Sequence, residues 1–217
     1  MNLSWSHTAL KDYENCARKY YEVRVLKKHP FTKTDKMLYG DRLHKAAEEY
    51  VKKGELTQEF AFLKDVLDAL LAKQGTKQAE VKMALDKDLK PVSWYDKGAW
   101  VRGVADLLII DGPTAWVVDY KTGNSKYPDR DQLVLMSAMV MVLHPEVQQV
   151  NSALLYVTSD TLFKHKMTRA EFDDVWWKYR ERVARIEASH ANGVWNPTST
   201  PLCPWCPVTT CEFHPDH

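Results

Sequence analysis

Residues 103–123, GVADLLIIDGPTAWVVDYKTG, constrain this chain more than any other stretch. Two runs rich in β-branched, aromatic and other apolar residues predict strands over 99–110 and 114–120. Asp111-Gly112-Pro113 between them predicts a turn. Residues 107–110 and 116–118 lack polar alternation, which reads as strand buried on both faces. Acidic and basic side chains embedded in such strands need a physical reason. If the chain reverses at 111–114, the hairpin centre lies near 112.5, and Asp106 and Asp119 each stand 6.5 positions from it. They then face one another across the ladder with side chains on one side. Side chains alternate along a strand, so Lys121 points the same way as Asp119.

Two facing carboxylates repel, and near a core they are costly unless a cation bridges them. Mg²⁺ suits the position: it takes carboxylate oxygens and keeps room for waters and phosphate oxygens. It polarises a phosphodiester and activates a water, and Lys121 beside that water would orient it and offset developing charge. The other reading is a partly exposed hairpin with a surface Asp/Lys ladder, since opposite charges across a sheet are common. The apolar neighbours weigh against it.

The rest of the chain reads as an α/β domain. Helical periodicity runs over 6–28 with Ser6 as N-cap, over 36–53 up to Gly54, and over 57–73 up to Gly75. Strands are expected at 79–86, 150–157 and 162–167, and a helix at 129–143. A long helix spans 168–191, with Thr168 and Glu171 as a capping box and Gly193 beyond its end. The 217 residues suit one domain, 1–217: a helical N-terminal region over 1–75, a core over 76–192 and a tail over 193–217 packed against the N-terminal helix. The formal net charge of +1 supplies no bulk attraction for nucleic acid, so any basic surface must be local. With no signal-like start and no apolar run near the roughly 20 residues of a spanning helix, a soluble cytoplasmic protein is expected, without membrane contact.

Asp106 within GVADLLII, followed by Asp119-Tyr120-Lys121-Thr122-Gly123, resembles the split signature of the PD-(D/E)XK nuclease superfamily in its RecB-like form. The resemblance implies a restriction-endonuclease-like core, a mixed central sheet flanked by helices, with an N-terminal helical region and a Cys-rich C-terminal tail. It implies that Asp106 and Asp119 hold Mg²⁺ or Mn²⁺, that the Tyr120 main-chain carbonyl adds a ligand, and that Lys121 serves the water. Gly40 to His44 resembles the family's GxxxH helix, which makes His44 a metal ligand; Glu48, one turn on, would orient it or pair with a lysine. Glu80 stands where the family often has an additional acid. Gln132 resembles the first residue of a QxxxY motif that assists catalysis, although the fifth position here is Met136.

Cys203-Pro-Trp-Cys206 followed by Cys211 is a ligand-like cluster one donor short, and Cys16 is the only other cysteine. In a reducing compartment such a set reads as metal ligands rather than disulfides. RecB-like members with one N-terminal and three C-terminal cysteines, among them AddB-type subunits and CRISPR-adaptation nucleases, hold a 4Fe–4S cluster on them. Thiolates also suit Zn²⁺, and His214 or His217 could replace one.

The resemblance implies a DNase, an exonuclease acting on single strands or ends, of the kind found in phage, repair, recombination or CRISPR systems. The alternative is a catalytically silent or partner-dependent DNA-binding subunit of a recombination, repair or CRISPR-adaptation complex. A zinc-stabilised RNA-processing protein is a further rival. Lys27 and Lys28 on the basic first helix are candidate DNA contacts, whereas Trp176 and Trp177 read as core.

Overall fold

The computed structural model describes residues 3–30 and 32–216; His217 lies outside them. The chain groups into two compact units, one of residues 33–176 and one of 3–32 with 177–217.

The first unit is built on one five-stranded sheet, β1 (Thr76–Leu85), β2 (Val101–Asp111), β3 (Thr114–Lys121), β4 (Gln149–Tyr156) and β5 (Thr161–Thr168), in spatial order 1-2-3-4-5. Neighbours are antiparallel except β3 and β4, which run parallel. A parallel pair needs a crossover, and helix α5 (Arg130–Leu143) supplies it. The β2–β3 ladder pairs Asp111 with Thr114 and Leu107 with Val118. The same register sets Asp106 opposite Asp119. The mixed sheet with flanking helices is the restriction-endonuclease-like α/β architecture expected of the sequence.

Alternation divides the sheet into two faces. Leu107, Ile109, Val118, Tyr120 and Leu155 pack against Leu43, Ala46, Ala47 and Tyr50 of helix α3 (Asp35–Lys53) and Leu67 of helix α4 (Lys64–Leu71). Each such Leu or Val stabilises by roughly 1.5–3 kcal/mol on burial. On the other face Leu133 of α5 packs against Leu154 and Tyr156. Helix α5 is apolar nearly all round, as a helix sunk in the core should be, and its buried Ser137 is satisfied by the Leu133 carbonyl. Thr34 caps α3 by accepting from the Met37 N–H, and Gly54 closes it in the left-handed conformation at φ 75°.

In the second unit helix α1 (His7–Asn15) starts where expected, with Ser6 Oγ accepting from the Ala9 N–H. The single helix read over 6–28 is however broken at Cys16, which is extended (φ −165°, ψ 110°). A short helix α2 (Ala17–Tyr20) and one wide turn, Tyr21–Val25, follow. The apolar spacing continues through the break, so periodicity alone could not show it. Likewise the helix read over 57–73 is a tight 3₁₀ turn, Gln58–Leu63, kinked at buried Phe60 before α4 begins.

The capping box forms: Thr168 and Glu171 bond reciprocally ahead of helix α6 (Phe172–Asn192), and Gly193 follows in the left-handed region. Trp176 is core at 2% exposure, but Trp177 is 62% exposed, which corrects the reading of both as core. Consecutive helical side chains point about 100° apart and cannot share one buried stripe. The aperiodic tail is held by aromatic packing: Trp195 stacks on Tyr21 at 4.8 Å and on Tyr20 at 5.9 Å. Arg182 grips Glu14 through two nitrogens at 2.6 and 2.8 Å. Among the described residues no helix is long and apolar enough to cross a membrane.

Candidate active site

The ionisable groups of the sheet unit converge where β2 and β3 separate. Main-chain pairing of these strands runs to Leu107 and Val118 and stops. There the Tyr120 N–H donates to Asp106 Oδ2 at 2.7 Å, so the carboxylate replaces a backbone acceptor. The other oxygen, Asp106 Oδ1, lies 3.0 Å from His44 Nδ1 on α3. Glu80 on β1 is the third member: ligand atoms of His44, Glu80 and Asp106 lie within 4.8 Å of one another.

Glu80 reaches that position by a distortion. The β1–β2 register passes from Ala79–Leu107 to Val81–Ala105 with Glu80 and Asp106 unpaired between them. Glu80 has φ 52°, in the left-handed region, which costs a non-glycine residue roughly 1–2 kcal/mol. Such strain persists only where its surroundings impose it.

Beside this trio Lys121 Nζ lies 2.7 Å from Asp119 Oδ2 and donates to Gln132 Oε1 at 2.9 Å. Gln132 Nε2 donates in turn to Asp119 Oδ1 at 2.6 Å. The amide of α5 thus closes a triangle that fixes the lysine over the carboxylate.

The electrostatics follow from crowding. Burial, and then the Asp106 charge, push the Asp119 carboxyl up against the pull of Lys121. Burial and Asp106 likewise raise Glu80. For His44 burial works against the charged form, but the hydrogen bond to Asp106 and the nearby carboxylates outweigh it and raise the imidazole. Two carboxylates and an imidazole within one ion's reach, with neighbouring carboxyls held above their usual range, are a donor set that fits a divalent cation.

The sequence pattern of the PD-(D/E)XK nuclease superfamily matches residues 4–211. The chain belongs to the PD-(D/E)XK nuclease superfamily. Nucleases of this superfamily use divalent metals, and the carboxylate–histidine trio is a group that could hold one. A crystal structure from Eubacterium rectale, of a protein named as a candidate exonuclease, shares the fold at TM-score 0.54 and 15% identity, over 94% of this chain and 87% of that one. The structure of SSO0001 aligns over 98% and 87% at 14% identity, but at TM-score 0.48 that likeness carries no argument. No curated protein matches the sequence.

In this nuclease α3 passes close to the strand end at Gly40, where an added Cβ would meet Thr122 Oγ1 at 3.3 Å. Glu48 is engaged by Lys45 at 3.0 Å and Lys52 at 2.5 Å; of the two readings of Glu48, lysine partner is the one observed. Tyr120 has its hydroxyl buried with no hydrogen-bond partner. Tyr156 carries no motif that singles it out in the sequence. It pairs with Lys121 on the adjacent strand, and burial raises its phenol against the Lys121 charge. Only the β3–β4 register could have pointed to it.

In the other unit all four cysteines, unbridged, line one cavity of about 50 Å³ together with His214, Arg18 and Thr200. Main-chain N–H groups of Lys19 and Thr198 point at Cys16 Sγ at 3.4 and 3.5 Å, and that of Thr200 at Cys203 Sγ at 3.3 Å. The break at Cys16 turns its sulfur out to cap α2. Lys28 pairs with the buried Glu22 at 3.1 Å, while Lys27 is exposed at φ 53°.

Proposed function

We propose that this nuclease is a Mg²⁺- or Mn²⁺-dependent deoxyribonuclease of the RecB-like branch, an exonuclease acting on single strands or DNA ends. The observation that carries this reading is the adjacency of the His44–Glu80–Asp106 donor trio to the fixed Asp119–Lys121–Gln132 triangle. Asp106, Asp119, His44 and the Tyr120 carbonyl would hold the ion, with Glu80 as an additional acid. The bound ion supplies neutralisation of phosphate charge and activation of water. The protein's own contribution is positioning. An ammonium has three donors; Asp119 and Gln132 engage two, leaving one to orient a water and meet charge developing on the phosphate. The Tyr120 N–H holds one oxygen of Asp106 and turns the other towards His44.

The four cysteines would hold a 4Fe–4S cluster that ties Cys16 to the tail. Thiolates accepting main-chain N–H bonds suit either such a cluster or Zn²⁺. What supports the cluster is the arrangement of one N-terminal and three C-terminal cysteines around one cavity.

The test is cleavage of end-labelled single- and double-stranded DNA with Mg²⁺ or Mn²⁺ by anaerobically purified protein, beside Lys121→Ala. Progressive shortening that the substitution abolishes is expected, along with iron and sulfide near four each per chain. Retained DNA binding without cleavage would favour the partner-dependent subunit, and stoichiometric zinc without iron would overturn the cluster assignment.

A further inference from the structure

The sheet has one face that its helices leave half covered. Helices α3 and α4 pack over β1–β3 and reach Leu155 of β4, while α5 occupies the opposite face. On the α4 side the registers align three cross-strand rows: Tyr120–Leu155–Leu162, Val118–Ala153–Lys164 and Trp116–Asn151–Lys166. An open groove of about 580 Å³ lies over the β4–β5 section of these rows. Its floor is mostly apolar, from Trp116, Ala153 and Leu155, with Asn151 beside Trp116. One wall is α4 with Lys73 beyond its end; the other is the edge strand β5, carrying Lys164 and Lys166.

The charge is one-sided. No acidic side chain lines the groove, and no ion pair to Lys73, Lys164 or Lys166 occurs among the described residues. Lys73 Nζ instead sits 5.2 Å over the Trp116 ring. Three uncompensated cations in a chain of net charge +1 are a local concentration of positive field. Edge strands often carry lysine to block pairing with other chains. That role explains β5 but neither the facing Lys73 nor the absence of any carboxylate.

We propose that this groove binds a single strand of nucleic acid, with phosphates on Lys73, Lys164 and Lys166 and bases against the apolar floor. The inference rests on the nuclease reading and adds a second surface on which the substrate strand is held. Alternation places Asp119 and Lys121 on the sheet face opposite this groove, and Tyr120 is buried, so the groove is a strand-binding surface separate from the catalytic centre, running over Leu155, Ala153 and Trp116. Lys164 and Lys166 share a face two residues apart, about 6.6 Å along the strand, a separation that successive phosphates of an extended strand can match. Cations that follow a backbone beside apolar surface that receives bases are how sequence-tolerant single-strand sites work. A duplex offers phosphates but keeps its bases from such a floor.

The experiment compares wild type, Lys164→Glu/Lys166→Glu and Lys164→Arg/Lys166→Arg. Fluorescence anisotropy with a labelled oligothymidylate in EDTA, from 50 to 200 mM salt, gives affinity; hydrolysis of thymidine 5′-p-nitrophenyl phosphate with Mn²⁺ reports the catalytic centre without the groove. The double reversal is expected to weaken oligonucleotide binding more than tenfold and to lower the salt slope by at least about 1.4, two charges at about 0.7 each. The ester should be hydrolysed as by wild type, and the arginine variant should bind normally. Unchanged affinity and slope overturn the groove, as does an equal loss for duplex and single strand. A changed sedimentation coefficient with unchanged affinity makes the face an interface between copies and also overturns it. Wild type that binds the oligonucleotide through these lysines but leaves the ester intact supports the groove and counts against the nuclease reading.

Discussion

Asp106 accepts the Tyr120 N–H at the point where β2 and β3 separate, so one carboxylate both ends the ladder and anchors the candidate metal site. The two duties separate by substitution. Asp106→Asn keeps an oxygen that can accept from Tyr120 and removes a charge crowded by Glu80 and Asp119. It should melt no lower than wild type without metal, lose the rise in melting temperature that Mg²⁺ gives, and cleave DNA more than 100-fold more slowly. Asp106→Ala leaves the N–H unpaired and should cost about 1–3 kcal/mol. An alanine variant as stable as wild type in urea titrations would show that the N–H finds another acceptor.

Gln132 touches both Lys121 and Asp119, so Gln132→Ala should act through their geometry. Loss of an orienting partner typically costs 10–100-fold. That loss is expected in kcat, with DNA affinity in EDTA unchanged. A variant altered in affinity and not in kcat would place Gln132 on the substrate instead.

Tyr120 contributes to the proposed site through its main chain, while its hydroxyl is buried without a partner. Removing an unsatisfied polar group relieves a desolvation cost. Tyr120→Phe should therefore melt at or above the wild-type temperature and cleave at the wild-type rate. A loss of activity in the phenylalanine variant would assign the phenol a role of its own.

Glu171 is held below the usual glutamate range by the Thr168 N–H, then by the Thr168 hydroxyl. A carboxylate depressed in the folded state contributes stability above its unfolded value, about 4.3, that is lost as pH falls through its folded value. Because glutamine keeps the capping acceptor, Glu171→Gln should lower stability near pH 7 only by the share of the charge, about 0.3–1 kcal/mol for an exposed carboxylate at a helix start, and flatten the decline of urea midpoints below pH 4.5. Wild-type and variant midpoints running parallel from pH 7 to pH 3 would rule that contribution out.

Much of the sheet unit was legible in the order of residues. A tight turn at Asp111–Thr114 fixes a two-residue period on both sides, so counting outward sets Asp106 opposite Asp119 with no tertiary information. Short-range rules also set the Thr168 capping box and the Gly54 stop. The sequence likewise determined which donors exist: acids embedded in apolar strands, one helical histidine after Gly40, and four cysteines at the two ends. Tertiary structure alone decided how those donors meet. The left-handed turn at Glu80, the Asp106–Tyr120 bond and the Lys121–Tyr156 pairing depend on strands brought together from distant segments, and local periodicity carries no term for such contacts. The break at Cys16 has the same origin: an apolar pattern that continues as helix gives way where a sulfur faces a tail almost two hundred residues away. Covalent order sets which side chains are available and which way each strand presents them; only packing sets which of them share a cavity.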